Sequence, residues 1–144
     1  MIFTLIAINT LIFFFLSFLH IYWVFGGTWG KKKALPVKVN GEMALNPSKF
    51  GTLIVGLGLF LFAFITLANI GLADQLIERK YIHIATYIIA GIFCFRAIGD
   101  FKYVGLMKSI KGTDFAKQDT RTYVPLCFML SLFSLSIPLI TCGQ

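Results

Sequence analysis

Few residues in this chain are of the types that do chemistry, and most of those gather where two hydrophobic runs end. His20 and Trp23 close the first run; Arg96, Asp100 and Tyr103 close the third. An imidazole exchanges protons near neutral pH, because its ordinary pKa is about 6.5. A guanidinium offers a fixed fork of N–H donors to an anion. An aspartate one helical turn further on can share that charge. These five residues form the candidate ligand-binding set. The same residues also support a plainer account. Arg96 near a helix end can snorkel to the headgroups, held by its own aspartate. His20 can simply bond a neighbouring helix carbonyl.

Other motifs fail on spacing. Gly26-Gly27-Thr28-Trp29-Gly30-Lys31 has too few residues between Gly26 and Gly30 for a phosphate loop, and Lys32 stands where the hydroxyl belongs. It reads instead as a helix stop with an interfacial tryptophan and a topology signal. There is no HExxH, CxxC or GxSxG, so no catalytic set is assigned. Three cysteines without regular spacing suit packing rather than disulfides or a metal. His20 and His83 open at opposite membrane surfaces, about 20–25 Å apart in depth by helix rise. They cannot share a haem or a zinc, and neither cofactor nor metal is expected.

The elements that must hold these residues are membrane helices. Of 144 residues, 58% are hydrophobic and only 13% charged, too little polar surface to cover a soluble domain of this size. Four apolar runs, about 2–25, 51–71, 81–101 and 122–141, each have the length to cross about 30 Å of hydrocarbon. The expected fold is all-α, a single domain over 1–144 made of four transmembrane helices. The third helix is expected to run on as far as Tyr103, with a polar loop from Lys102 to Thr120. By that division no acid lies in spans one, two or four, which argues against a small proton-driven exporter.

The net charge of +7 does not point to nucleic acid, because the cations sit in loops between spans. Lys31, Lys32, Lys33, Lys38 and Lys49 lie in the first loop. Lys102, Lys108, Lys111 and Lys117 lie in the third, beside Arg121, whereas the middle turn has only Arg79 and Lys80. The positive-inside rule puts loops one and three in the cytoplasm and both termini outside. Stripes at helical spacing should face the bundle centre. They are Asn9, Phe13, Leu16, Ser17, His20, Trp23 and Gly27 on the first helix, and Gly51, Gly58, Phe62 and Asn69 on the second. On the fourth they are Cys127, Ser131, Ser134, Pro138 and Thr141.

His20-Ile21-Tyr22-Trp23, Gly26-Gly27-Thr28-Trp29-Gly30 and Pro36 form one set with Arg96-Ala97-Ile98-Gly99-Asp100, Thr120-Arg121 and Tyr123-Val124-Pro125. Together they resemble a family of small bacterial four-helix membrane proteins catalogued only as a domain of unknown function. The resemblance covers essentially the whole chain. It implies a protein of the bacterial inner membrane and supplies no catalytic residues.

The expected function is therefore non-enzymatic. A polar pocket near the cytoplasmic leaflet, lined by His20, Trp23, Arg96, Asp100 and Tyr103, would bind an anionic or amphipathic small molecule or a lipid headgroup. Transport, sensing and assembly would all use such a pocket. The alternatives are a membrane enzyme on a lipophilic substrate, with His20 as acid–base and Arg96 as anion clamp, and a structural subunit of a larger complex. The expected partners are the lipid bilayer and such a ligand, and self-association is left open.

Overall fold

The computed structural model describes residues 2–36, 47–99, 102–109 and 112–141. All its regular elements are helices, and four helical segments are long and apolar enough to cross a membrane. The chain is an all-α membrane protein.

Helix α1 (Ile2–Val24) is an unbroken apolar run without glycine or proline. Its 23 residues rise about 34 Å. Gly26, at φ 94°, ends it: the Gly27 N–H reaches Tyr22 O (3.0 Å) and the Gly26 N–H reaches Trp23 O (3.2 Å). These two bonds close a Schellman turn, which needs the left-handed conformation glycine adopts without strain. A single turn, α2 (Lys31–Ala34), follows.

Helix α3 (Lys49–Ala68) starts where Ser48 Oγ accepts the Gly51 N–H at 3.0 Å. Helix α4 (Arg79–Ile98) begins beyond an exposed Asp74–Arg79 ion pair. It ends at Ile98 and does not run on to Tyr103, because Gly99 turns the chain at φ 91°.

The last segment differs most from expectation. Thr113 caps it by accepting the Ala116 N–H at 3.1 Å, so helix begins at Asp114, well ahead of residue 122. It runs through α5 (Asp114–Gln118), a π-helical turn (Asp119–Tyr123) and α6 (Val124–Thr141). Pro125 gives a local reason for the wide turn. It has no N–H, and its ring crowds the carbonyl four residues back.

The helices form two antiparallel pairs, α1 with α3 and α4 with α6, with less contact between the pairs. Ser17 Oγ donates to Gly56 O (2.7 Å), and Ser131 Oγ donates to Ala90 O (2.8 Å). A Cβ on Gly56 would stand 3.3 Å from His20 Cβ, so Gly56 marks the closest approach of α1 and α3. Gly58, expected on that face, meets nothing within 4 Å. The row facing inward on α3 is Gly56, Leu59, Ala63 and Thr66. Phe13 is the centre of the core, its ring 5.3 Å from Phe93 and 6.0 Å from Phe62. Large apolar side chains such as Leu11, Phe15, Leu61, Phe95 and Leu139 face outward, as lipid-facing positions permit.

Candidate functional site

Two chain reversals build the polar centre at the lysine-rich end. Beyond Gly99 the chain folds back on the end of α4, where Leu106 N–H caps Ala97 O (3.0 Å) and Met107 N–H reaches Ile98 O (3.4 Å). Gly99 and Gly105, both at positive φ, cross backbone to backbone. A Cβ on Gly99 would fall 1.7 Å from Val104 O, and one on Gly105 would fall 2.2 Å from Ile98 O. The crossing aims the Gly105 N–H at Asp119 Oδ2 (2.8 Å) and brings in Lys108 from the same loop.

Asp119 opens the π-helical turn and is fully buried. Oδ2 also accepts from Lys108 Nζ at 3.0 Å, and Oδ1 accepts from Arg96 Nη2 at 3.3 Å. The Lys108 side chain is 3% exposed and Arg96 37% exposed. The other Lys108 bonds are to Gly105 O (3.0 Å) and Thr120 Oγ1 (2.6 Å), which uses all three ammonium hydrogens. Among the described residues one carboxylate thus serves two cations, with one positive charge in excess. Arg96 Nη1 is buried and has no partner among the described residues.

Above the cluster lies an open depression of about 460 Å³, lined by Leu106, Lys108, Ala116, Lys117, Thr120 and Arg121. Lys117 and Arg121 are exposed, and among the described residues no acid is in the lining. Such a surface can hold an anion beside an apolar chain.

The expected site residues fall into two groups. His20 and Trp23 stay together, ring centroids 5.0 Å apart. His20 Nδ1 lies 2.7 Å from Leu16 O, and since a carbonyl only accepts, Nδ1 carries the hydrogen. Trp23 Nε1 donates to Trp29 O at 2.8 Å, so the tryptophan ties down the glycine loop. Arg96 belongs to the Asp119 cluster, and no hydrogen bond, ion pair or ring contact among the described residues joins it to His20 or Trp23. Asp100, expected to pair with Arg96, lies outside the described residues, and the helical turn that would have related the two is broken at Gly99. Tyr103 is half-buried in the returning loop, with Lys102 Nζ 5.4 Å above its ring.

Asp119, Lys108 and Thr120 carry the centre; by sequence alone Asp119 passes unnoticed, Lys108 is only a loop cation and Thr120 only part of the family resemblance. The expectation that span four lacks an acid fails because its helix starts at Asp114. Thr113 was the signal that could have moved that start, being a good N-cap before Phe115 and Ala116. At the other end, a second depression of about 480 Å³ is lined by Arg79, Lys80, His83, Ile84, Tyr87 and Thr141. There His83 Nε2 and Thr141 Oγ1 are hydrogen-bonded at 3.1 Å. Among the described residues no group of His, Cys, Asp and Glu could hold a metal ion.

No curated protein matches the chain, and no solved structure does. A family model does match, over residues 13–134, which takes in α3 and α4 whole, parts of α1 and α6, and both halves of the Arg96–Asp119 cluster. The chain belongs to that family, described as "Protein of unknown function (DUF3995)".

Proposed function

We propose that this protein binds an anionic amphipathic ligand, such as a phospholipid, at the lysine-rich end of its bundle. The observation that carries this is the depression over the Asp119 cluster. Lys117 and Arg121 are one turn apart on its rim, Thr120 adds a hydroxyl, and Leu106 and Ala116 supply an apolar wall. The buried ion pairs beneath fix the floor, and their surplus positive charge favours an anion above it. Arg96, the expected anion clamp, acts through this floor. Trp23, with His20 against its ring, holds the neighbouring glycine loop, and Tyr103 belongs to the segment that closes over α4.

The lysine excess further supports a cytoplasmic position for this end, with both termini extracytoplasmic, in a bacterial inner membrane. The protein would then take its ligand from the cytoplasmic leaflet, for transport, sensing or assembly.

Native mass spectrometry from nanodiscs of mixed phosphatidylglycerol and phosphatidylcholine tests the binding. The intact protein should retain phosphatidylglycerol preferentially. Lys117→Ala combined with Arg121→Ala should remove that preference and leave phosphatidylcholine adducts unchanged. Equal retention of both lipids by the intact protein, or an unchanged preference in the variant, would reject the site.

A further inference from the structure

A second polar feature lies in the opposite half of the bundle, toward the termini, and is independent of the anion site. Asn9, Thr10, Thr66, Asn69, Thr86 and Ser134 are all buried, none more than 5% exposed. Helix register brings them to neighbouring levels. The Phe13–Phe62 and Ser17–Gly56 contacts set α1 against α3 so that Asn9 and Thr10 stand level with Thr66. Asn9 Nδ2 donates to Ser134 Oγ (3.0 Å) and joins α1 to α6. Asn69 Nδ2 donates to Thr86 Oγ1 (3.0 Å) and joins α3 to α4. Both are bonds between the two helix pairs, so this layer is their polar seam.

The seam is incompletely bonded by protein atoms. Asn9 Oδ1, Asn69 Oδ1, Thr10 Oγ1 and Thr66 Oγ1 are buried and have no hydrogen-bond partner. Pro138 has no N–H to offer the Ser134 carbonyl one turn back. The two threonines stand out against this chain's own habit. Thr52, Thr86, Thr120, Ser136 and Thr141 all give their hydroxyl hydrogen to the carbonyl four residues earlier. Thr10 and Thr66 do not, although burial makes an unmade bond costly to them.

We infer that this seam is an internal water site, in which Asn9, Asn69, Thr10 and Thr66 hold one or a few water molecules between the two helix pairs. The bonding chemistry selects water over a cation. The two amide oxygens need a donor, while the two hydroxyls need somewhere to place a hydrogen. Water supplies both; a sodium or potassium ion offers no acceptor to a hydroxyl. Among the described residues the seam also contains no carboxylate, and a bare cation buried without a counter-charge is strongly disfavoured. Buried waters characteristically make about three bonds to polar groups left over in this way.

Water-edited solid-state NMR on the full chain in lipid bilayers tests the site. Magnetisation from water should reach the side chains of Asn9, Thr66 and Asn69 while leaving buried Leu130 and Phe13 dark. Thr66→Ser keeps the hydroxyl and should keep the transfer. Thr66→Val keeps the shape, and should abolish transfer at Asn69 and lower the unfolding midpoint by roughly 2–4 °C. No transfer to the three side chains in the native protein would overturn the inference, as would a midpoint raised by Thr66→Val. A midpoint that climbs saturably with sodium or potassium but not choline, at constant ionic strength, would overturn it in favour of a cation site.

Discussion

Asp119 pairs with two cations of unequal burial, and the consequences of removing each partner are unequal too. Asp119→Asn leaves the Lys108 ammonium buried, 3% exposed, without its counter-charge and with only neutral oxygens to bond. Breaking a buried pair in this way costs about 3–5 kcal/mol. Thermal unfolding in detergent should therefore show Asp119→Asn melting far below the native protein. The double change Lys108→Met with Asp119→Asn should recover a large part of that loss. Arg79→Ala, which removes an exposed pair with Asp74, should cost about 0–1 kcal/mol. Equal melting of Asp119→Asn and Arg79→Ala would show the buried cluster to be solvated after all. Arg96 was legible in the sequence because a cation inside an apolar run stands out. Asp119 was not, since it sits among Lys117, Gln118, Thr120 and Arg121 in a stretch that reads as loop. Its burial comes from a loop 14 residues upstream in sequence folding over it, and local pattern carries no trace of that.

The elements themselves were largely legible, because an apolar run of some twenty residues admits few structures other than a membrane helix. Their ends and faces were less so. The α4 stop needed knowledge of the Gly99–Gly105 crossing, which only the returning chain reveals. That crossing predicts a steep contrast among glycine substitutions. Gly99→Ala or Gly105→Ala places a methyl inside a neighbouring backbone and should prevent the loop from closing, so that Asp119 loses the Gly105 N–H. Gly26→Ala has the same positive φ but open space around it, and should cost only about 1–2 kcal/mol. Melting temperatures of the three variants in one detergent should fall into those two classes; a Gly99→Ala protein as stable as Gly26→Ala would mean the crossing is dispensable. On α3 the stripe read from the sequence named Gly58 and passed over Gly56, the glycine that packs against α1. Only the crossing of the two helices selects Gly56.

At the scale of the whole molecule, the proposed orientation makes a prediction independent of any ligand. Cysteine introduced at Lys32 or Lys117, in a background with the native cysteines replaced, should resist a membrane-impermeant thiol reagent in intact cells. Cysteine at Leu76, in the short connection between α3 and α4, should react. The reverse pattern would invert the proposed threading and put the cation-lined depression outside the cell. The two-pair architecture bears on how the protein is made. Each long helix takes most of its packing from its neighbour in sequence: α1 from α3, and α4 from α6. The first pair therefore has its main contacts, Ser17 with Gly56 and Phe13 with Phe62, before any residue beyond α3 is needed. Emerging from a ribosome, it can assemble in the bilayer while the second pair is still being synthesised. The Asn9–Ser134 bond, spanning 125 residues, must then be among the last to form. A chain truncated after residue 78 should consequently still insert as a hairpin, its two helices within crosslinking distance at Ser17 and Gly56.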